Sequence, residues 1–554
     1  MPSGKRASVQ PDFLEGLIKT GYLPTEIPPV VTSRYFAAFC KNNFKHFQSI
    51  QSTFQYINTN YDTFSVPRPN TGRRNLALVN PVAQLGLSLL LTEHRSLIKK
   101  RISKNGISMY RTTEDVNAGK AFEGLDFNQW HRETHRISSE YRFAVKADIS
   151  RFFYTIYTHS IPWALIGKEK AKSTYKSKRF KNHWTNKLDM VLQSCQSRET
   201  FGIPVGPDTS RIIAELLMAG IEDDKELTGT FRPTNTVRLI DDLYVGCDNE
   251  DSANRILGAL KSALWRFNLQ LNEDKSYIQL THQNYEEKWR YEFDDLEGRQ
   301  PNAKLEEKQI RRIIDVALHH CQETGTEKPS IWACRRLMDL NHYTENHALL
   351  VEVFFRLGRD FPSTTKHVAE FIINNRFIFL LPEMRTKLKQ WLREFLRFNS
   401  SRSSDLELAW ALLISGVFAI KLTEHDLEEL VDLPGSVTFA ILGLLREHGL
   451  LDVPLGNWPW KSRYKESGIY GPNWLPIYEA TLRGWTKDKA LISQVTGNPH
   501  FNRMLQDKVT FLEDDFLKIG SINFPRRRYR VCLGRKLSSQ SFALKIKVDG
   551  AGYD

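Results

Sequence analysis

The sequence predicts an α+β fold, with an antiparallel sheet backed by helices in the first half and a long succession of α-helices in the second. Three observations predict it. Between residues 136 and 285, strand-like runs alternate with helical stretches. Within that region two apolar runs, Val237 to Ile240 and Leu243 to Val245, flank the acidic pair Asp241-Asp242, as in a buried hairpin. After residue 286 the texture changes to one amphipathic helical segment after another.

In chain order, residues 1–65 read as helical, with aromatic-rich segments at Tyr35-Phe36 and from Phe44 to Phe54. Residues 66–135 hold a hairpin around Arg73-Arg74 and a helix beginning near Val82. Residues 136–285 give a strand to Asp148, a helix through Trp184 to Gln193, a helix from Asp208 to Gly220, the hairpin at Asp241-Asp242, a helix over 251–266 and a strand over 269–280. In residues 286–520 the segments Leu305 to His320, Ile331 to Leu340, Ala348 to Leu357, His367 to Ile373, Met384 to Phe398, Leu406 to Ile420 and Val437 to Leu445 recur at helix-pair intervals. That is the pattern of a helical-repeat array, which stacks pairs because one pair cannot bury its apolar face alone. Trp410, Trp474, Tyr478 and Trp485 fall at helical positions and read as core. Residues 521–554 form a basic C-terminal tail.

A net charge of +13 implies a polyanionic partner. The charge is also concentrated. Lys168, Lys170, Lys172, Lys176, Lys178, Arg179, Lys181 and Lys187 are interleaved with Tyr175, Phe180 and Trp184, which suits a groove that tracks a nucleic-acid backbone while bases stack. The bland alternative is a solvated helix face. Arg526, Arg527, Arg528, Arg530, Arg535, Lys536, Lys545 and Lys547 make the tail a second candidate contact surface. The six cysteines form no CxxC pair, so neither a disulfide framework nor a zinc knuckle is indicated. No apolar run approaches the roughly 18 residues of a membrane span and no leader is apparent, so a cytoplasmic protein with no membrane partner is expected.

Three stretches carry the chemistry: Phe143 to Ile149 with Asp148 at its end, Gly202-Ile203-Pro204-Val205-Gly206-Pro207, and Val237 to Val245 around Asp241-Asp242. Asp148 and the acidic pair converge only if their strands are neighbours. Once converged they repel unless divalent cations lie between them. Two hard cations about 3.5–4 Å apart on shared oxygens form the usual site for in-line phosphoryl displacement. The bland reading of an acid in an apolar strand is a buried ion pair, with Lys146 or Arg238 as partner. In order and spacing the three stretches resemble motifs A, B and C of reverse transcriptases. The resemblance extends upstream to Val66-Pro67-Arg68, Gly72-Arg73-Arg74-Asn75-Leu76 and Val79-Asn80-Pro81, a fingers signature. Downstream it extends to Leu269 through Ser276, which is similar to motif D. On this resemblance residues 66–135 are fingers and 136–285 the palm, followed by the α-helical repeat domain.

The resemblance implies Asp148, Asp241 and Asp242, with the backbone carbonyl of Ile149, as ligands of two Mg²⁺ ions that Mn²⁺ can replace. It implies Phe153, five residues after Asp148, as a steric gate that favours dNTPs by crowding a 2′-hydroxyl. Arg73 and Arg74 would grip the triphosphate. Gly202, Pro204 and Gly206 would line the nascent base pair, and Lys275 would protonate pyrophosphate. Three departures stand out: Leu239 replaces the usual aromatic before the acidic pair, Val205 stands where Gln is common, and no primer-grip motif follows Lys275. With the helical region, this resembles the bacterial abortive-infection and unknown-group defence-associated reverse transcriptases. That implies anti-phage function, homo-oligomers, RNA or single-stranded DNA as partner, and synthesis that is template-independent, primed on a protein tyrosine, or directed by a noncoding RNA. Tyr35, Tyr56, Tyr61 and Tyr553 lie outside the palm as candidate primers. The alternatives are an RNA-dependent RNA polymerase, which Phe153 opposes, and a non-catalytic nucleic-acid-binding scaffold, which the three retained acids oppose.

Overall fold

Two antiparallel strands near the front of the chain, β1 (Asp62–Pro67) and β2 (Arg73–Leu78), pair with Pro67 opposite Arg73. The computed structural model describes residues 3–70, 72–110, 127–174, 177, 182–283, 288–295, 304–339, 341–342, 344–400, 404–427, 435–452, 464 and 467–517. The basic tail with Tyr553 lies outside them, as do Tyr175, Lys176, Lys178, Arg179, Phe180 and Lys181 of the basic segment.

The central sheet has four antiparallel strands, β3 (Phe143–Ala147), β4 (Thr236–Leu239), β5 (Asp242–Cys247) and β6 (Tyr277–Leu280), in the order β4-β5-β3-β6. Alternation along each strand sorts side chains to opposite faces. Val145 and Val245 pack with Ala253 and Ile256 of the Glu250–Arg266 helix. Ala144 and Tyr244 pack with Ile137 of the Phe127–Glu140 helix. Helices therefore cover both faces.

The strand expected over 269–280 is regular only at 277–280. Leu271 makes a single bridge to Ile149, and Glu273–Lys275 is a 3-10 turn. The Asn272 amide on the Asp148 carbonyl at 2.8 Å closes that bridge, and the 3-10 turn then interrupts the pairing until Tyr277.

The N-terminal helices Ser3–Lys19 and Arg34–Asn42 do not stand apart. Phe36 packs on Phe511, Val31 bridges to Leu512, and the Trp410 indole donates to the Glu26 carbonyl at 2.9 Å. All seven segments expected to be helical beyond residue 304 are helical. The Asp405–Val417 helix is buried on every side, as its nearly continuous apolar sequence requires. Trp410, Trp474 and Tyr478 are core, and the partly buried Trp485 packs against the same hydrophobic cluster. Among the described residues no helix is long and apolar enough to cross a membrane.

The β1–β2 hairpin lies against this helical region. Ser65 donates its amide to Asp405 at 2.9 Å, Ser436 to Asp62 at 3.1 Å, and Glu327 to the Pro69 carbonyl at 2.7 Å.

Candidate active site

Ala147 of β3 stands opposite Leu243 of β5. One step further along the same register sets Asp148 beside Asp242, with both side chains on one face of the sheet. The third acid, Asp241, sits in the connecting turn. The expected Asp241-Asp242 turn is displaced by one residue: Leu239 pairs with Asp242, so the turn residues are Ile240 and Asp241, and Asp242 begins β5. Ile240 has φ +58°, a left-handed conformation that β-branched residues avoid. Such a residue costs about 1–3 kcal/mol and persists only where its surroundings hold it.

The three acids share a field. Burial, then Asp242 and Asp148, push the Asp241 carboxyl up to about 7, against an opposing pull from Arg74. Burial and Asp148 push Asp242 up to about 6, opposed by Lys275 and Lys146. Asp242 is exposed to solvent, so water screens part of its repulsion.

Mutually repelling hard-oxygen donors are the set that a divalent cation relieves, so the donor chemistry fits Mg²⁺ or Mn²⁺. Among the described residues no three acidic, histidine or cysteine side chains already close into a metal cage. Ile149 is buried, and its bridge to Leu271 is closed by the amides of Ser150 and Asn272 on the carbonyls of Gln270 and Asp148.

Asp148 is held by residues that sequence reasoning passed over. Asn272 donates its side-chain amide to Oδ2 at 2.9 Å, and Ser276 Oγ accepts the Asp148 amide at 3.1 Å. Lys275 Nζ lies 3.7 Å from Oδ2. Asn272 and Ser276 flank Lys275 in the Leu269–Ser276 stretch, and as neutral side chains they carry no sequence signal of this role.

Arg238, offered as an ion-pair partner for the acids, pairs elsewhere. Its guanidinium is fully buried and donates to both carboxylate oxygens of Glu215 at 2.9 and 2.8 Å and to Glu222 at 2.7 Å. Burial works against that charge, but the two glutamates outweigh it and hold the group above its ordinary value. Ser108 and Asn105 satisfy the same carboxylates at 2.7 and 3.0 Å. The guanidinium also donates to the Ile240 carbonyl at 2.8 Å, so the cluster anchors the strained turn that carries Asp241.

The two arginines expected to grip a triphosphate are differently engaged. Arg73 makes a double contact with the buried Glu407 at 2.8 Å and a further bond to Ser65 at 2.6 Å. It fastens the hairpin to the Asp405–Val417 helix and is not a free phosphate ligand. Arg74, the next residue, is exposed, and its field reaches Asp241. Of Phe152 and Phe153, the first is core. The second is half-buried, 5.7 Å edge-on from its neighbour, on the helix that follows Asp148.

The 202–207 loop is a spacer between the hairpin and the sheet. Ile203 donates to the Phe153 carbonyl at 2.8 Å, and the Val205 carbonyl accepts from Ala77 of β2 at 2.7 Å. Gly202 (φ +78°) and Gly206 (φ +127°) occupy the region that favours glycine. A Cβ at Gly206 would come within 2.9 Å of Pro24, and one at Gly202 within 3.2 Å of the Tyr154 carbonyl. These contacts within the chain already require glycine, apart from any nascent base pair. Pro204 is buried and offers no face to a substrate.

The family described as reverse transcriptase (RNA-dependent DNA polymerase) matches residues 89–309. That span holds the three aspartates, the glycine loop and Lys275, but not the β1–β2 hairpin or most of the helical region. The chain thus carries a reverse transcriptase domain, which supports nucleic-acid polymerase activity. No curated protein matches the chain. Among solved structures, a telomerase from Candida albicans, in complex with a fragment of telomeric RNA, is similar at 10% identity and a TM-score of 0.27. The match covers 69% of this chain and 66% of that one. A likeness this loose bears on neither substrate nor partner.

Proposed function

We propose, with the reverse transcriptase domain as premise, that this chain is a DNA polymerase whose nucleotidyl transfer takes place at Asp148, Asp241 and Asp242. The observation that carries the reading is the register that brings Asp148 beside Asp242, under an anchored turn that presents Asp241. Asp148 and Asp241, with Asp242 and the Ile149 carbonyl beside them, would hold two Mg²⁺ or Mn²⁺ ions. When bound, these lower the pKa of the attacking hydroxyl and neutralise charge on the leaving pyrophosphate. Arg74 meets the triphosphate of the incoming dNTP through its guanidinium fork. The Phe153 ring would crowd a 2′-hydroxyl on the incoming sugar. Lys275, beside Asp148, hands a proton to pyrophosphate.

On the family resemblance, the context is bacterial anti-phage defence of the abortive-infection kind, in a homo-oligomeric, cytoplasmic protein whose C-terminal helices form a repeat array. Its nucleic-acid partner is RNA or single-stranded DNA, and its synthesis is RNA-directed, template-independent or protein-primed. The testing experiment is dNTP incorporation with Mg²⁺ or Mn²⁺ by wild type and by Asp241→Asn with Asp242→Asn. Incorporation should vanish in a double variant whose circular dichroism is unchanged. Undiminished incorporation would overturn the assignment.

A further inference from the structure

Immediately before the 202–207 loop the chain makes one antiparallel bridge, Tyr157 to Phe201. It is sealed by Thr158 N–H on the Thr200 carbonyl at 2.8 Å and Gly202 N–H on the Ile156 carbonyl at 2.9 Å. Beside it opens a cleft of about 350 Å³, with Tyr157, His159, Trp163, Lys172 and Asp189 in its walls. Small-molecule sites span roughly 300–1,000 Å³, so the cleft accommodates one compact ligand. The acid site uses none of these residues.

Two features define what fits. The first is aromatic. The Tyr157 ring lies 5.7 Å from Trp163 and 5.1 Å from Phe201, and Phe201 is 63% exposed. Packing of the short helices Ser160–Ile166 and Lys168–Thr174 accounts for the half-buried Tyr157 and Trp163. It does not account for the phenylalanine ring left in water beside Tyr157, one of the cleft's wall residues.

The second feature is charge. The ammonium groups of Lys168 and Lys172 stand 4.4 and 5.6 Å from the Trp163 ring centroid. His159 Nδ1 lies 2.5 Å from the buried Asp189, whose other oxygen accepts from Gln193 at 2.7 Å. That hydrogen bond favours the imidazolium and raises His159 above its ordinary value. The Asp189 carboxylate is thus satisfied from both sides; Lys168 is engaged on the Arg266 carbonyl at 2.8 Å, so the basic groups that line the cleft are Lys172 and His159.

Planar aromatic walls with a cationic rim call for a ligand that is at once flat and anionic. We propose that this cleft binds one unpaired nucleotide of a single-stranded nucleic acid, its base stacked on the Tyr157–Phe201 side and its phosphate on Lys172 and His159. Sequence-tolerant stacking with a cation at the backbone is how single strands are held. The placement also carries a consequence, because the bridge that walls the cleft continues through Ile203 to the Phe153 carbonyl. A strand seated here is fixed a few residues from the sugar gate. The inference rests on the polymerase reading for the presence of nucleic acid on this face, and not on any chemistry at the aspartates.

The test is fluorescence anisotropy of the full chain with labelled single-stranded DNA and RNA of equal length, in chelator and without nucleotides, so that binding is read apart from synthesis. Phe201→Ala, an exposed truncation, should weaken binding roughly 5- to 100-fold. Lys172→Gln should reduce the dependence of log affinity on log salt by about one phosphate contact. Abasic strands should bind wild type and Phe201→Ala alike. The DNA and RNA arms show which strand supplies the nucleotide. Asp241→Asn with Asp242→Asn should keep the response to Phe201→Ala, so a chain that binds strands here and polymerises nothing would fail the polymerase reading while sustaining this one. Unchanged affinity in Phe201→Ala and an unchanged salt slope in Lys172→Gln would overturn the proposal.

Discussion

Replacing Arg238 by methionine removes a guanidinium that makes two bonds to Glu215, one to Glu222 and one to the Ile240 carbonyl. Two carboxylates then remain in a fully buried site with Ser108 and Asn105 as neutral donors, which cannot balance their charge. Breaking a buried ion pair from one side costs about 3–5 kcal/mol, because the abandoned charge must be desolvated alone or neutralised. Against a domain stability of about 5–15 kcal/mol, that is a large fraction. The urea midpoint of Arg238→Met should therefore fall steeply. A companion carrying Arg238→Met, Glu215→Gln and Glu222→Gln leaves no buried charge and should recover most of the lost stability. It should not recover activity. Nothing in that companion donates to the Ile240 carbonyl, so the left-handed turn, strained by about 1–3 kcal/mol, is free to relax and carry Asp241 with it. The assay pairs urea unfolding with dNTP incorporation at a temperature where all forms are folded. Full activity in the triple variant, or a single variant that unfolds at the wild-type midpoint, would refute Arg238 as the positioning residue for the turn.

Arg73→Ala should lower the unfolding midpoint, because Glu407 is left buried without its partner, whereas Arg74→Ala should leave the midpoint unchanged and raise the KM for dNTP; unfolding and steady-state kinetics on the same preparations separate the two. Phe153→Ala should raise the ratio of rNTP to dNTP incorporation in parallel reactions, and an unchanged ratio would make Phe153 a packing residue. Mg²⁺ should raise the thermal midpoint of wild type at pH 8 but not that of Asp241→Asn with Asp242→Asn, since relief of carboxylate repulsion is the source of the gain. Burial pushes Asp405 up to about 6, so its contribution to stability is full below the ordinary aspartate value and is lost as pH rises through about 6. Asp405→Asn, whose amide oxygen can still accept from Ser65, should flatten that part of the pH–stability curve, read by thermal unfolding between pH 4 and pH 8.

The parts of this molecule legible from sequence are those whose cause is local. Apolar runs on both sides of Asp241-Asp242 mark the β4–β5 hairpin, and helical periodicity marks the seven segments read beyond residue 304. The turn itself was misplaced by one residue because Ile is a poor occupant of a left-handed position, and two adjacent acids look like better turn residues. What escaped has its cause at a distance. Arg73 looks like a phosphate ligand until Glu407 arrives from a helix more than three hundred residues away, and no local pattern announces that meeting. Arg238 likewise has its partners on the Asp208–Glu222 helix and in the stretch around Ser108. The same division separates the chemistry from its aim. Carboxylates at strand ends are written into short motifs, and the order and spacing of those motifs, not any one acid alone, single out Asp148, Asp241 and Asp242. Their orientation is set by Asn272, Ser276 and the buried Arg238 cluster, all neutral or internally paired and therefore featureless as sequence. Substitutions among those residues should accordingly impair the site while leaving every recognisable motif intact, which makes motif retention alone a poor guide to whether a chain of this kind is active.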